Sequence, residues 1–281
     1  MNKSTFAQCL DYIKETFFFP SYSARKKASF RYLRGQGLEI GALHRPLEVP
    51  PGVVVKYVDY ATREENVKKY PEIDVSKIVA TDHVDDGFEL SCIQRASQDF
   101  IIANHVLEHS PNLLHALLNW SSALKTNGFL FITLPNGAKS FDKGRIITTA
   151  EHIVEDYELF NAGEMQTIAA RSREHYKEFV EISIPNLKKV HRNLKTYRTD
   201  ADKNAYVDKL MRESSVDAHF HVFTKSSMVS VMNYLISHYL QDMSLREVIR
   251  SRFGFEYIVI LEKNRVNQKA DNPTHKGVKS S

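Results

Sequence analysis

The chain has 281 residues, 42% of them hydrophobic and 11% aromatic, which excludes general disorder and allows one large domain or one domain with an insertion. Its formal charge of +4 falls mainly in residues 264–281, where Arg265, Lys269, Lys276 and Lys279 face only Asp271. The remainder is near neutral, so a general nucleic-acid-binding surface is not indicated. Cys9 and Cys92 are far apart and lack metal-ligand spacing, so reduced thiols of a cytoplasmic protein are expected and no structural disulfide.

In chain order, Phe6, Leu10, Ile13 and Phe17 form one helical stripe over residues 4–18, ended by Pro20. Asp11, Lys14 and Glu15 interrupt its apolar residues, which argues against a signal peptide. No run approaches the length of a membrane span, so a soluble protein is expected, at most associated with a membrane surface. Arg25, Lys26, Lys27, Arg31 and Arg34 follow with no acid among them. They suit either a phosphate- or membrane-contacting patch through residues 25–34 or the solvated face of a helix.

From residue 36, short apolar runs alternate with amphipathic stretches. Strands are expected at Gly37–Gly41, Val53–Tyr60, Lys77–Thr81, Asp99–Ala103 and Phe129–Leu134. Pro111–Lys125 reads as a helix, with Gly128 closing that region before the fifth strand. Residues 146–214 are helical in character and highly charged, an inserted cap. Phe220–Thr224 reads as a short strand or turn, 225–238 as an amphipathic helix, and Leu240–Arg250 with Tyr257–Leu261 as an antiparallel hairpin. The expected fold is α/β, a Rossmann-like, seven-stranded, mostly parallel sheet with flanking helices. The expected divisions are an N-terminal helical lid at 1–35, a main domain at 36–263 with the cap after strand five, and a disordered basic tail at 264–281.

In such a sheet a ligand sits at the carboxyl ends of the strands. Glu39-x-Gly41 ends the first strand, where a glycine lets backbone approach a ligand and the next helix offers free N–H groups. Asp59 ends the second strand, where a carboxylate can accept two ribose hydroxyls. Asp85-Asp86 follow the third, where an acid can accept from an adenine amino group. Each acid alone could be a local cap; their recurrence at successive strand ends is the signal.

The segments GLEIGALHRPL, SQDFIIANHVLEH, ALKTNGFLFITLPN, FDKGRIITTAEHIVEDY and DAHFHVFT resemble motifs of the class I S-adenosylmethionine-dependent methyltransferases. The similarity is to a bacterial branch often linked to glycan and cell-surface biosynthesis, and it covers roughly 36–160 and 215–262. It implies S-adenosyl-L-methionine as cofactor and a small-molecule or glycan acceptor. By that resemblance Glu39 and Gly41 frame the methionine end, Ala42 and Arg45 lie in the same cofactor loop, and Asp59 holds the ribose. Asp86 and Gly87 meet the adenine, and Asn104 and His105 line the floor under the sulfonium. The family's acid-x-Gly-x-Gly-x-Gly loop has Leu43 and Arg45 where its second and third glycines stand, so a differently shaped turn is expected. Two other classes stay open: a methyltransferase-like binding protein without turnover, and a dinucleotide-dependent oxidoreductase, against which the lack of Gly-x-Gly-x-x-Gly argues.

His109 and His221 are the candidate general bases for a hydroxyl acceptor. His105-Val-Leu-Glu108-His109 lacks the order of a zinc protease motif, and Asp217-x-His219-x-His221 sets alternate side chains on one face. No metal is expected at either. Phe141, Asp142, Arg145, Glu151 and His152 open the cap, where an acceptor pocket would be walled.

Overall fold

A strand buried on both faces needs helices on both sides of its sheet, and Phe100, Ile101, Ile102 and Ala103 are all fully buried. The computed structural model describes residues 22–190, 197–213 and 218–265. Its strands are β1 (Gln36–Ile40), β2 (Val54–Asp59), β3 (His83–Val84), β4 (Gln98–Asn104), β5 (Leu124–Pro135), β6 (Met243–Arg250) and β7 (Glu256–Lys263). They form one sheet in the order β3-β2-β1-β4-β5-β7-β6. The first five run parallel, and β7 is antiparallel to both β5 and β6.

On one face, helices α3 (Leu113–Ala123), α4 (Ala150–Ala162) and α8 (Lys225–His238) bury Trp120, Ile153 and Met228 against the sheet. On the other face the helix over residues 22–32, α1, buries Ala28 and, just beyond its end, Leu33 against Phe100, Phe131 and Ile260. The described part of the expected lid is thus packed into the sheet's own core. Its basic run is largely neutralised within the chain: Arg25 pairs with Glu256, Lys26 with Glu48 and Arg31 with Glu247. The stripe at 4–18 and the tail beyond residue 265 lie outside the described residues.

Three local expectations are corrected. No helix follows β1; residues 41–53 cross to β2 without regular structure, as Pro46, Pro50 and Pro51 require. The third strand is not Lys77–Thr81 but the two-residue β3. Asp74 caps a 3-10 turn at Val75–Lys77 through the Ser76 N–H, and Arg63 donates to the carbonyls of Val75 and Ile78. Gly128 does not close a helix: α3 ends at Ala123 and Gly128 sits inside β5, beside the register shift in its pairing with β4.

The cap is α4, α5 (Met165–Glu178), a π-helical turn (Phe179–Ser183), α6 (Ile184–Val190) and α7 (Asp200–Glu213), the short α2 (Arg63–Lys69) lying earlier between β2 and β3. Despite its charge it has a small core of its own, with Tyr176, Phe179, Ile184, Val207, Leu210 and Phe220. No described helix is long and apolar enough to cross a membrane.

Candidate active site

The carboxyl ends of β1, β2 and β4 meet beneath the 41–47 loop. Glu39 is buried, and its two carboxylate oxygens accept the Leu47 N–H at 3.1 and 2.9 Å and the Asn104 amide at 3.0 Å. Burial pushes its carboxyl up to about 7, against the opposing pull of those hydrogen bonds and of Arg25. Glu39 therefore ties the loop down over the strand end. Gly41 turns the chain at φ 65°, and Leu43 follows at φ 49°. Leu43, where the sequence resemblance expects a second glycine, is thus in the left-handed region that favours glycine. The backbone closes around it, with the Arg45 N–H on Ala42 O and the Val79 N–H on Leu43 O. Arg45 Nε donates to His44 Nε2 at 2.9 Å.

Asp59 ends β2 half-buried, accepting the Ala61 N–H at 3.2 Å; burial raises its carboxyl, against hydrogen bonds from Asn66 and Ala61. It does not cap α2, whose N-cap is Thr62 with Glu65 completing a capping box. After β3 the two acids divide. Asp85 binds the N–H groups of Asp86 and Cys92, while Asp86 is exposed and accepts the Phe88 N–H. A side chain at Gly87 would come within 2.4 Å of Ile40 Cγ2, so this loop rests on the end of β1 because residue 87 is glycine.

Asn104 Oδ1 accepts from Thr133 Oγ1 at 3.3 Å, fixing its amide toward Glu39. His105, at φ 54°, lies between Glu108 Oε1, 3.0 Å from its Nδ1, and Glu256 Oε2, 2.8 Å from its Nε2. Burial lowers its pKa, but these two carboxylates outweigh burial and raise it. Sequence reasoning missed Glu108 and Glu256. The signal for Glu256 was a lone acid at the head of the apolar run Tyr257–Leu261.

The candidate bases differ in access. His221 is 1% exposed; its Nε2 donates to Ser110 O at 3.0 Å and burial holds its pKa far below the ordinary value. His109 is half-buried, with Nδ1 on Ala218 O at 3.1 Å and its ring edge-on to His219 at 4.7 Å. His219 in turn reaches Asp142 Oδ2 at 2.6 Å. Asp142 and Arg145, expected to wall an acceptor pocket, are instead buried and paired at 3.0 Å, with Ser183 of the π turn donating to Asp142 at 2.8 Å. His152 and His175 of the cap pack with His221, and Glu151 is exposed. Asp217 lies outside the described residues. An open pocket of about 690 Å³ is lined by Asn136, just after β5, with Ala138, Thr224, Lys225 and Tyr257 beside the start of α8.

The antiparallel β7 inserted between β5 and β6 decides the topology. The fold is a Rossmann-like, seven-stranded, mostly parallel sheet with flanking helices. No family model matches the chain, and no curated protein does. Among solved structures, a Rhodobacter sphaeroides protein provisionally named a Zn-dependent alcohol dehydrogenase matches 93% of this chain over 99% of its own, at TM-score 0.51 and 13% identity. A Thermotoga maritima SAM-dependent methyltransferase matches 92% over 98%, at TM-score 0.44 and 13% identity. The plantazolicin methyltransferase BpumL in complex with SAH matches 92% over 90%, at TM-score 0.48 and 12% identity. Likeness at such identity speaks to the fold, since one fold hosts many chemistries.

Proposed function

We propose that this chain is an S-adenosylmethionine-dependent methyltransferase acting on a small polar acceptor, a sugar or glycan-precursor hydroxyl. The observation that carries the reading is the set of acids at the strand ends: Glu39 and Asp59 lie at the ends of β1 and β2 and Asp86 follows β3, around a loop with left-handed turns at residues 41 and 43. Gly41, Ala42 and Arg45 border the methionine end of the cofactor, Asp59 its ribose, Asp86 and Gly87 its adenine, and Asn104 and His105 lie under the sulfonium. The glycan class of the acceptor rests on the sequence resemblance.

The sulfonium methyl is already activated, so the residues supply orientation and exclusion of water while the acceptor oxygen attacks in line with the departing thioether. A hydroxyl must lose its proton. His109 is the more accessible of the two histidines, and its Nδ1–H bond to Ala218 O leaves Nε2 as the acceptor atom. His221 serves as a buried packing partner.

The test is binding of S-adenosylhomocysteine, measured by calorimetry and thermal shift beside NAD. The expected result is stabilisation by S-adenosylhomocysteine alone, and an affinity at least about tenfold lower in Asp59→Ala, which loses charge-assisted hydrogen bonds worth roughly 1.5–3 kcal/mol. No heat and no shift at millimolar ligand overturns the reading.

A further inference from the structure

The turn after β4 and the segment entering α8 bring together two adjacent potential ligands and a third that is 110 positions away in sequence. Glu108, His109 and His219 each offer one ligand atom, all within 4.8 Å of one another. Glu108 is fully buried; its Oε1 is taken by His105, and its Oε2 has no hydrogen-bond partner among the described residues. A buried carboxylate oxygen left unbonded is costly, and a cation is the partner that would satisfy it.

The two imidazoles are set as a metal site sets them. A ligating histidine gives its other ring N–H to a carboxylate or backbone carbonyl, which fixes the tautomer and aims the lone pair. His219 Nδ1 lies 2.6 Å from Asp142 Oδ2, and Asp142 is itself held by Arg145 and Ser183. His219 Nε2 is thereby the lone-pair nitrogen, and it faces Glu108 Oε1 at 3.9 Å. His109 Nδ1 is on Ala218 O. Two ligands of one tetrahedral zinc lie about 3.3 Å apart when metal–ligand bonds are ~2.0–2.1 Å, so atoms within 4.8 Å of one another close the set with side-chain adjustments of at most about 1.5 Å.

We infer that Glu108, His109 and His219 form a binding site for a divalent transition metal of the zinc class. Its ligand set is two histidines and one glutamate, with Asp142 as the outer partner of His219. His109 is half-buried, while Glu108 and His219 are buried. Three protein ligands and an open position are the pattern of catalytic rather than structural zinc.

A second trio, His152, Asp156 and His175, also has ligand atoms within 4.8 Å of one another. There a guanidinium already occupies the cation's place: Arg171 pairs with Asp156 and donates to His152 Nδ1 at 3.0 Å. The pairs weighed from sequence do not form, since His105 turns to Glu256 and His221 to Ser110.

The role of the metal rests on the methyltransferase reading. A hydroxyl on the open position would lose its proton near neutral pH, as metal-bound water does, and His109 would then be a ligand rather than the base.

The test uses the full chain, stripped with a chelator and titrated with Zn²⁺ by calorimetry and with Co²⁺ by visible absorption. The expected result is one equivalent of either ion, with the intense bands of low-coordinate Co²⁺. His219→Ala and His109→Ala each lose that binding, Asp142→Asn weakens it 10–100-fold, and His175→Ala leaves it unchanged. Absence of stoichiometric binding by the unaltered chain, His109→Ala binding as tightly as the parent, or loss in His175→Ala overturns the proposal. Should His219→Ala fail to fold, the half-exposed His109→Ala carries the test. S-adenosylhomocysteine binding by the same preparations separates the two ideas: its failure beside intact zinc binding removes the cofactor reading and leaves the metal site.

Discussion

Arg25 and Glu256, 231 positions apart, form a two-pronged ion pair in which both side chains are only 4% exposed, with Nε to Oε1 at 2.8 Å. The same carboxylate holds His105, so the pair links helix α1, strand β7 and the turn after β4. Burial pushes the Glu256 carboxyl up, but Arg25 and His105 outweigh it and hold it down at about 2. Arg25→Met strands a buried carboxylate, and breaking one side of such a pair costs about 3–5 kcal/mol. Urea unfolding should show a loss of that order. Arg25→Met combined with Glu256→Gln should recover part of it. A single-variant loss below about 1 kcal/mol would mean that His105 alone satisfies Glu256.

Glu39 gives an opposite pH signature. Its carboxyl, raised from 4.5 to about 7 by burial, keeps its proton in the folded state after the unfolded chain has lost its own. Between these values the folded state binds more protons, so this group's contribution falls as pH rises, by about 3 kcal/mol in all. Glu39→Gln has no proton to lose. Its stability relative to the parent should therefore improve between pH 5 and pH 8 by about 2–3 kcal/mol, and a constant difference across that range would show that Glu39 folds as a carboxylate.

His152 and His175 act in the other direction. Burial lowers both, His175 to about 3, with the neighbouring His152, Arg145 and Arg171 adding to it. Below pH 6.5 the unfolded histidines take up protons that the folded ones refuse. Stability from the cluster is therefore complete above pH 6.5 and lost as pH falls toward the folded values, at up to about 1.4 kcal/mol per pH unit for each histidine. Unfolding at pH 7.5 and 5.5 should show this slope, and His175→Gln should flatten it. Equal slopes in parent and variant would assign the acid sensitivity elsewhere.

Leu43 predicts a residue-type effect. A β-branched side chain tolerates a left-handed backbone poorly, so Leu43→Val should destabilise the loop by about 1–2 kcal/mol and weaken S-adenosylhomocysteine binding. Leu43→Gly should keep that affinity. Equal affinities for both variants would uncouple the left-handed turn from the cofactor.

The strands that form the centre of the sheet were legible because their burial is written locally. Gly37–Ile40, Asp99–Ala103 and Phe129–Leu134 are apolar runs of the length of a doubly covered strand, and the hairpin after Leu240 is two such runs around Gly254. The acids at the strand ends were legible for the same reason, since a strand's end fixes where its next side chain emerges. The misplaced third strand and the expected helix after β1 show the limit of local pattern. A capping Asp74 and the carbonyls taken by Arg63 decided the first, and a proline-bound loop tied to buried Glu39 decided the second.

What the sequence determined by itself was thus the alternating α/β architecture and the carboxylates at the ends of β1 and β2 and after β3, because periodicity and strand ends are local properties. Only the tertiary structure decided the partners of the buried charges. Arg25 with Glu256, His219 with Asp142, and Glu108 beside His109 and His219 join segments dozens to hundreds of residues apart. A side chain's charge state, tautomer and accessibility follow from which distant groups share its low-dielectric surroundings, and that is settled when the cap, α1 and the β6–β7 hairpin pack against the sheet.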